Sequence, residues 1–318
     1  MSRRRQRSAM LRSLLQSQSR LVQIGMQPFA PILSRTLDKA FAEIQEWNGR
    51  KSCLLLSFDC DFPEDALALP EIARDLEGRQ IKASFACVGR WVSEYPEEHR
   101  AVLEGGHELL NHTFSHPELV NSPGHFVSFR DDLQERHWGE LTSGEKREEI
   151  TRCQDAVRES LDYQMFGFRA PHFGKVDVDD LYPMLRELEL TYSTSALACR
   201  GPQLGCPFTV EDILEIPVTT CPHHPFTSFD SWHAFYAKGG WHASNFVEVF
   251  ESRLKSSVQT GALTNIYLDP KDRNRYEFAR LLDVVESVAE DCWTPTYRDF
   301  VSRRAGAATT DVRDGVTQ

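Results

Sequence analysis

No stretch of the chain approaches 18 consecutive apolar residues, so nothing in it reads as a membrane-spanning helix. None of its eight cysteines, Cys53, Cys60, Cys87, Cys153, Cys199, Cys206, Cys221 and Cys292, stands in a CxxC pair. Several sit in apolar, strand-like runs, where cysteine acts as a small hydrophobe. Positive charge is also scarce. The formal net charge is -11, and the first twelve residues hold five arginines and no acid, so the remainder carries -16 (-11 less 5). An acidic body argues against nucleic acid as a partner. The positive N-terminus lacks the apolar core of an export signal, because Arg12, Ser13, Gln16, Ser17, Gln18 and Ser19 interrupt it. The expectation is a cytoplasmic protein with reduced thiols. Cys199 and Cys206, bracketing a Gly/Pro-rich loop, are the candidates for an exception. Leu11, Leu14, Leu15 and Val22 can share a helical face beside arginines. That face suits either weak contact with a membrane surface or a tail followed by a helix packed on the body.

At 318 residues, 41% hydrophobic and 26% charged, the chain has enough material for one large α/β domain. Residues 28–49 carry Ile32, Leu33, Leu37, Phe41, Ile44 and Trp47 at helical spacing, with Gly49 able to end the helix. The run SCLLLSFD is too short for a helix and reads as a buried strand ending at Asp59. Further strands are predicted at 81–88, 107–112, FGF before Arg169, 190–195, 213–218 and 262–269. Helices are predicted at 64–77, after Tyr95, from Ser143 to Leu161, before Leu190, at 241–259 and at 276–290. Seven strands alternating with helices imply a parallel sheet covered by helices, and suggest one barrel rather than two domains. The division expected is a basic tail and helical extension over 1–50, the barrel over 51–300 and a flexible tail over 301–318.

The polar clusters fall at the carboxyl ends of strands, where an α/β barrel builds its site. Asp59 and Asp61 stand at i and i+2, so both carboxylates face one cavity if the strand pattern holds; the alternative is a loop pair that caps a helix. His112 and His116, in NHTFSHP, are four apart, the spacing of one face of a helical turn. With Asp61 they make two imidazoles and a carboxylate, a set that binds a metal and leaves positions open. Zinc is the first choice, with cobalt, nickel, manganese or iron as alternatives. Arg169, in FRAPHFG, can hold Asp59 ionised through a bidentate pair. His172 is placed to bind substrate or to cap its loop. Residues 219–245 hold Trp232 and Trp241 among other rings, and read as a substrate lid or as a loop packed on the body.

Taken in order, SFDCD, NHTFSHP and FRAP resemble the first three motifs of the NodB-type polysaccharide deacetylases (carbohydrate esterase family 4), over about Cys53 to Asp291. The resemblance implies a distorted seven-stranded barrel that removes acetyl groups from glycans. It gives Asp61, His112 and His116 the metal-binding roles, Asp59 that of general base and Arg169 that of orienting the base. His172 stands where the family usually has a tyrosine whose backbone N–H polarises the carbonyl. The last motif departs from the pattern: Tyr267-Leu268-Asp269-Pro270 puts Asp269 where the family has its general-acid histidine. Ser193 also occupies a position that often holds an aspartate. Asp269 itself, or His223 or His224 in the CPHHP loop, is then expected to supply the proton, the alternative being an Asp269 that contacts substrate while another group donates.

The activity so implied is metal-dependent removal of an N-acyl group, most simply acetyl, from an amino sugar or glycan precursor. The rivals are a related amidohydrolase acting on a non-sugar C–N bond and a catalytically silent glycan-binding or scaffold protein, the latter suggested by the histidine missing at 269.

Overall fold

The run Ser52–Cys60 (β1) is buried at every position, as a parallel strand covered on both faces must be. In this computed structural model its side chains alternate. Leu54, Leu56, Phe58 and Cys60 pack with Leu69, Ile72 and Leu76 of the helix Pro63–Gly78. Cys53 and Leu55 instead join Ala86, Leu110, Ile216 and Leu263. The inward set is apolar at the amino end of β1 and polar, as Ser57 and Asp59, at its carboxyl end. The structure describes residues 13–14, 19–38, 41, 47–117, 138–171, 181–199, 201, 204–237 and 243–304.

The sheet continues through β2 (Ser84–Cys87), β3 (Glu108–Asn111), β4 (Gly167–Phe168) and β5 (Tyr192–Ser193). Then come β6 (Phe208–Val210), β7 (Ile213–Glu215), β8 (Leu263–Leu268) and β9 (Cys292–Trp293). Their order is β6-β7-β5-β4-β3-β2-β1-β8, with β9 pairing the start of β1. Every pairing is parallel except β6 with β7. The sheet curls until its ends meet. Beyond β7, Thr219 N donates to Asn265 O of β8 at 2.8 Å, and Asp230 bridges Tyr267 of β8. The seven predicted strands correspond to β1–β5, β7 and β8, giving an α/β fold of the distorted (β/α)7 type. The short β6 and β9 lie outside that prediction: β6 is the first arm of a hairpin with β7, and β9 adds only Cys292 and Trp293 to the amino end of β1.

The helix Ser143–Leu161 starts where its sequence signals it should. Thr142 Oγ1 accepts from Glu145 N, and the Glu145 side chain accepts from Thr142 N at 2.7 Å. Helices Arg20–Met26 and Ala30–Asp38 form the N-terminal extension. Leu33 and Leu37 pack on Leu197, Cys199 and Leu204, and Asp38 pairs with Arg253 in a buried ion pair. The predicted helix does not reach Gly49: Trp47 instead bridges to Arg50 around left-handed Asn48 and Gly49. At the other end, residues 297–304 are helical, and Tyr297 and Phe300 plug the barrel interior beside Trp47 and Phe41. The body therefore runs past residue 300 to 304, into the span expected to be a flexible tail. Residues 1–12 and 305–318 lie outside the described residues. All eight cysteines, Cys199 and Cys206 included, are buried thiols. Among the described residues no helix is long and apolar enough to cross a membrane.

Candidate active site

β1 carries Asp59 within the strand and releases Asp61 one residue beyond it, so the i, i+2 relation survives the strand's end and both face the barrel mouth. β3 delivers His112 directly after Asn111. Asp61 Oδ1 lies 3.2 Å from His112 Nε2 and 3.4 Å from His116 Nε2. Both imidazoles are almost wholly buried, with their rings 4.9 Å apart and inclined at 68°. Asp61 Oδ1 is itself buried and has no well-aligned hydrogen-bond donor, although two imidazole nitrogens lie within 3.4 Å of it.

That arrangement fits a metal ion. Ligand atoms about 2.0–2.1 Å from a tetrahedral zinc stand about 3.3 Å from one another, and the two measured separations straddle this value. His112 Nδ1 lies 2.8 Å from the carbonyl oxygen of Arg169. The Nδ1–H tautomer donates there, leaving the Nε2 lone pair for a cation. Burial works against the Asp61 carboxylate, yet His116 and His112 outweigh it and hold its pKa well below the ordinary value. The point between these three side chains therefore favours positive charge.

The two histidines do not meet on a helical turn. Residues 112–117 are irregular, and Thr113 and His116 take left-handed backbone conformations with φ of 63° and 57°, which for such residues costs about 1–3 kcal/mol each. Glu149 holds the loop in place. Its carboxylate accepts from Phe114 N at 3.1 Å, Ser115 N at 2.8 Å and Ser115 Oγ at 2.7 Å. Asn111 Oδ1 accepts from Thr113 N, and Thr113 Oγ1 from His116 N. The sequence did carry one signal for Glu149: an acid on the apolar face of its helix, beside Ile150 and one turn before Cys153.

Arg169, wholly buried after β4, contacts Asp59 through Nη1. The pair is not bidentate: Nη2 turns away to Ser57 Oγ at 2.9 Å and Tyr297 OH at 2.7 Å. One guanidinium thus joins β1, the loop after β4 and the C-terminal helix. Burial raises the Asp59 pKa, and the opposing charges of Arg169 and His112 do not cancel the rise. A carboxylate held this way is oriented and more basic than one in water.

Asp269 follows β8 and is buried. Ser231 Oγ donates to its Oδ2 at 2.5 Å and accepts from its N–H at 2.7 Å. Lys271 Nζ lies 3.6 Å from Oδ1, and Lys271 is also held by Asp65. Burial pushes Asp269 up to about 6, with the charge of Asp61 adding to the rise and Lys271 opposing it. Asp61 is thus near enough for the two carboxylates to sense each other. Ser231 and Lys271 were not singled out in the sequence. Of the other candidates, Trp232 is half-buried and stacks on Tyr236 at 4.8 Å. His223 is exposed, and His224 turns towards Cys221 and His233. His172 and Trp241 lie outside the described residues.

Residues 47–192 match the polysaccharide deacetylase family. Among curated proteins, the chitooligosaccharide deacetylase of Azorhizobium caulinodans is 32% identical over 80 residues, covering 25% of this chain and 37% of that protein. The enzyme of the same name from Bradyrhizobium sp. (strain ANU 289) is 36% identical over 72 residues, 23% of this chain and 32% of that one. The chain thus spans about a third of the length of these relatives. A Mycobacterium smegmatis protein classed as a polysaccharide deacetylase superposes with a TM-score of 0.66 at 17% identity, over 83% of this chain and 94% of that one. The peptidoglycan deacetylase PdaC of Bacillus subtilis superposes at 0.51 and 15% identity, over 85% and 98%. Motif order, barrel architecture and these matches agree: the chain resembles the NodB-type polysaccharide deacetylases, with the family match carried by residues 47–192.

Proposed function

We propose that the chain is a metal-dependent deacetylase that hydrolyses the N-acyl group, most simply acetyl, of an amino sugar or glycan precursor. The observation that carries this reading is the convergence of Asp61, His112 and His116 beside the Asp59–Arg169 pair. Asp61, His112 and His116 would hold the metal, with zinc preferred and cobalt, nickel, manganese or iron as alternatives. When bound, such a cation supplies a Lewis acid for the acyl carbonyl and lowers the pKa of water at the site.

The chain's own residues do the rest. Asp59, oriented by Arg169, takes a proton from the attacking water. The water oxygen bonds to the acyl carbon and the C–N bond breaks. Asp269 in its protonated form gives its proton to the departing amine, so that the products are a carboxylate and a free amino sugar. The raised pKa of Asp269 supports this role for the residue that replaces histidine. Trp232 and Tyr236, stacked on each other, offer a sugar ring an aromatic platform. The eight buried thiols fit a reducing compartment, and we place the protein in the cytoplasm. A soluble or lipid-linked acylated sugar suits that location better than an intact wall polymer.

The test compares wild type with His112→Ala and Asp59→Asn for metal content and for acid released from N-acetylated chito-oligosaccharides and nucleotide sugars. The reading expects tight metal in wild type and Asp59→Asn, none at this site in His112→Ala, and turnover in wild type alone. Turnover surviving in Asp59→Asn, or wild type that takes up no metal, would overturn it.

A further inference from the structure

The segment after the Thr219–Asn265 contact folds into a tight turn. Thr220 bridges Ser228, Cys221 N donates to Thr227 O at 2.9 Å, His224 N to Cys221 O at 3.1 Å, and Thr227 N to His224 O at 3.0 Å. This turn brings His224 Nδ1 to 3.6 Å from Cys221 Sγ. From the next helical turn, residues 233–237, His233 sends Nε2 to 3.0 Å from the same His224 Nδ1, with the two rings inclined at 78°. The thiol and both imidazole nitrogens lie within 4.8 Å of one another. Cys221 and His233 are buried, and half-buried His224 leaves an approach from solvent.

Thr227 Oγ1 also lies 3.3 Å from His233 Nε2, so hydrogen bonds can hold that imidazole, but His224 Nδ1 is shared. A single ring nitrogen, His224 Nδ1, faces both a thiol and a second imidazole nitrogen. It carries either one hydrogen or one lone pair, so it can satisfy only one of them well. A cation satisfies all three at once. For tetrahedral zinc, bond lengths of about 2.0–2.1 Å to nitrogen and 2.3 Å to sulfur set ligand separations of about 3.3 Å and 3.6 Å. The measured 3.0 and 3.6 Å lie close to both.

We propose that Cys221, His224 and His233 form a second metal site, distinct from that of Asp61, His112 and His116, which takes a zinc-like divalent cation. The donor set, one soft thiolate and two imidazoles, selects zinc over magnesium or calcium. Without a cation the buried Cys221 is an unreactive thiol, pushed up to about 12 by burial; binding displaces its proton. The site's place in the chain gives it a structural role. Between its second and third ligands lie Asp230, which accepts from His233 N at 2.6 Å, and Ser231, which holds Asp269. A cation here staples the Trp232 segment to the barrel rim and fixes the serine that positions Asp269. It also occupies His224, one of the candidate proton donors.

The assay titrates cobalt(II) into metal-free wild type, His112→Ala, Cys221→Ser and His224→Ala, and follows the near-ultraviolet thiolate-to-cobalt charge-transfer band. The Asp61 site offers only oxygen and nitrogen, so this band reports Cys221 alone. The band is expected in wild type and His112→Ala, and lost in Cys221→Ser and His224→Ala. Bound metal should fall by one equivalent in each single variant and by a second when His112→Ala is combined with Cys221→Ser. No band in wild type and His112→Ala, or a band that survives Cys221→Ser, overturns the proposal. Because wild type and His112→Ala decide the question, misfolding of the cysteine variant does not obscure it. Absence of deacetylase activity leaves the readout intact.

Discussion

Arg169 gives the sharpest test of how the site is held. It has no solvent exposure, and its guanidinium contacts Asp59, Ser57 Oγ and Tyr297 OH while lying 5.4 Å and 5.7 Å from the ring centroids of Tyr267 and Tyr297. Arg169→Met keeps most of the volume but leaves Asp59 as a buried charge without its cation. Breaking one side of a buried pair costs about 3–5 kcal/mol. Asp59→Asn is milder, because the amide keeps the shape and Arg169 retains its two hydroxyl partners. The double variant removes both charges, so its loss should be smaller than the sum of the single losses by about 2 kcal/mol or more. Urea unfolding of the four proteins at constant m-value measures this coupling. The pH dependence adds a sign. Asp59 already has a folded pKa above its unfolded value, and losing Arg169 raises it further. The folded state then holds the proton more tightly than the unfolded one. Stability is therefore full below the unfolded pKa of about 4 and falls as pH rises through the folded pKa. Arg169→Met should show a steeper fall than wild type, and the double variant a shallower one. Losses that add to within about 0.5 kcal/mol, or a variant stabilised by raising pH, would refute the account of Asp59 and Arg169 as one unit.

If Asp269 donates the proton, kcat falls as pH climbs past about 6, the value to which burial raises it; Asp269→Asn should lose that limb and cost about 10²–10⁴ in turnover. Glu149→Gln removes one of the acceptors that hold the Phe114–Ser115 loop, and competition against a chelator should show metal affinity lower by about 10–100-fold with Asp61, His112 and His116 unaltered. Asp38→Ala strands the buried Arg253 cation on the helix Ala243–Thr260, so limited proteolysis should cut within the helix Ala30–Asp38 sooner than in wild type and the urea midpoint should fall.

The sequence reveals most where one local rule decides the outcome. β1 alternates its side chains, so the common facing of Asp59 and Asp61 follows from a spacing of two, and the Thr142–Glu145 capping box marks the start of its helix. The histidine pair followed a different course. A spacing of four suggested a helical turn, but the chain achieves the same convergence with left-handed Thr113 and His116. What makes that conformation tolerable is the carboxylate of Glu149, more than thirty positions away in sequence. A similar limit applies to Arg169. Its position after a strand was readable, whereas the sharing of its guanidinium among Asp59, Ser57 and Tyr297 depends on a C-terminal helix with no motif to announce it. Ser231 reaches Asp269 only because the bridge between Asp230 and Tyr267 closes the barrel. The same closure explains why the sequence marks the histidines of the CPHHP loop as candidate proton donors without distinguishing between them. Their roles depend on which neighbours the turn gives them, and that turn sets His224 against Cys221 and His233. The candidate ligands are thus local properties of strand ends, while the groups that tune and hold them come from segments distant in sequence. Substitutions at Glu149, Ser231 and Tyr297 should therefore alter metal affinity and pH profile without removing any group that touches the substrate.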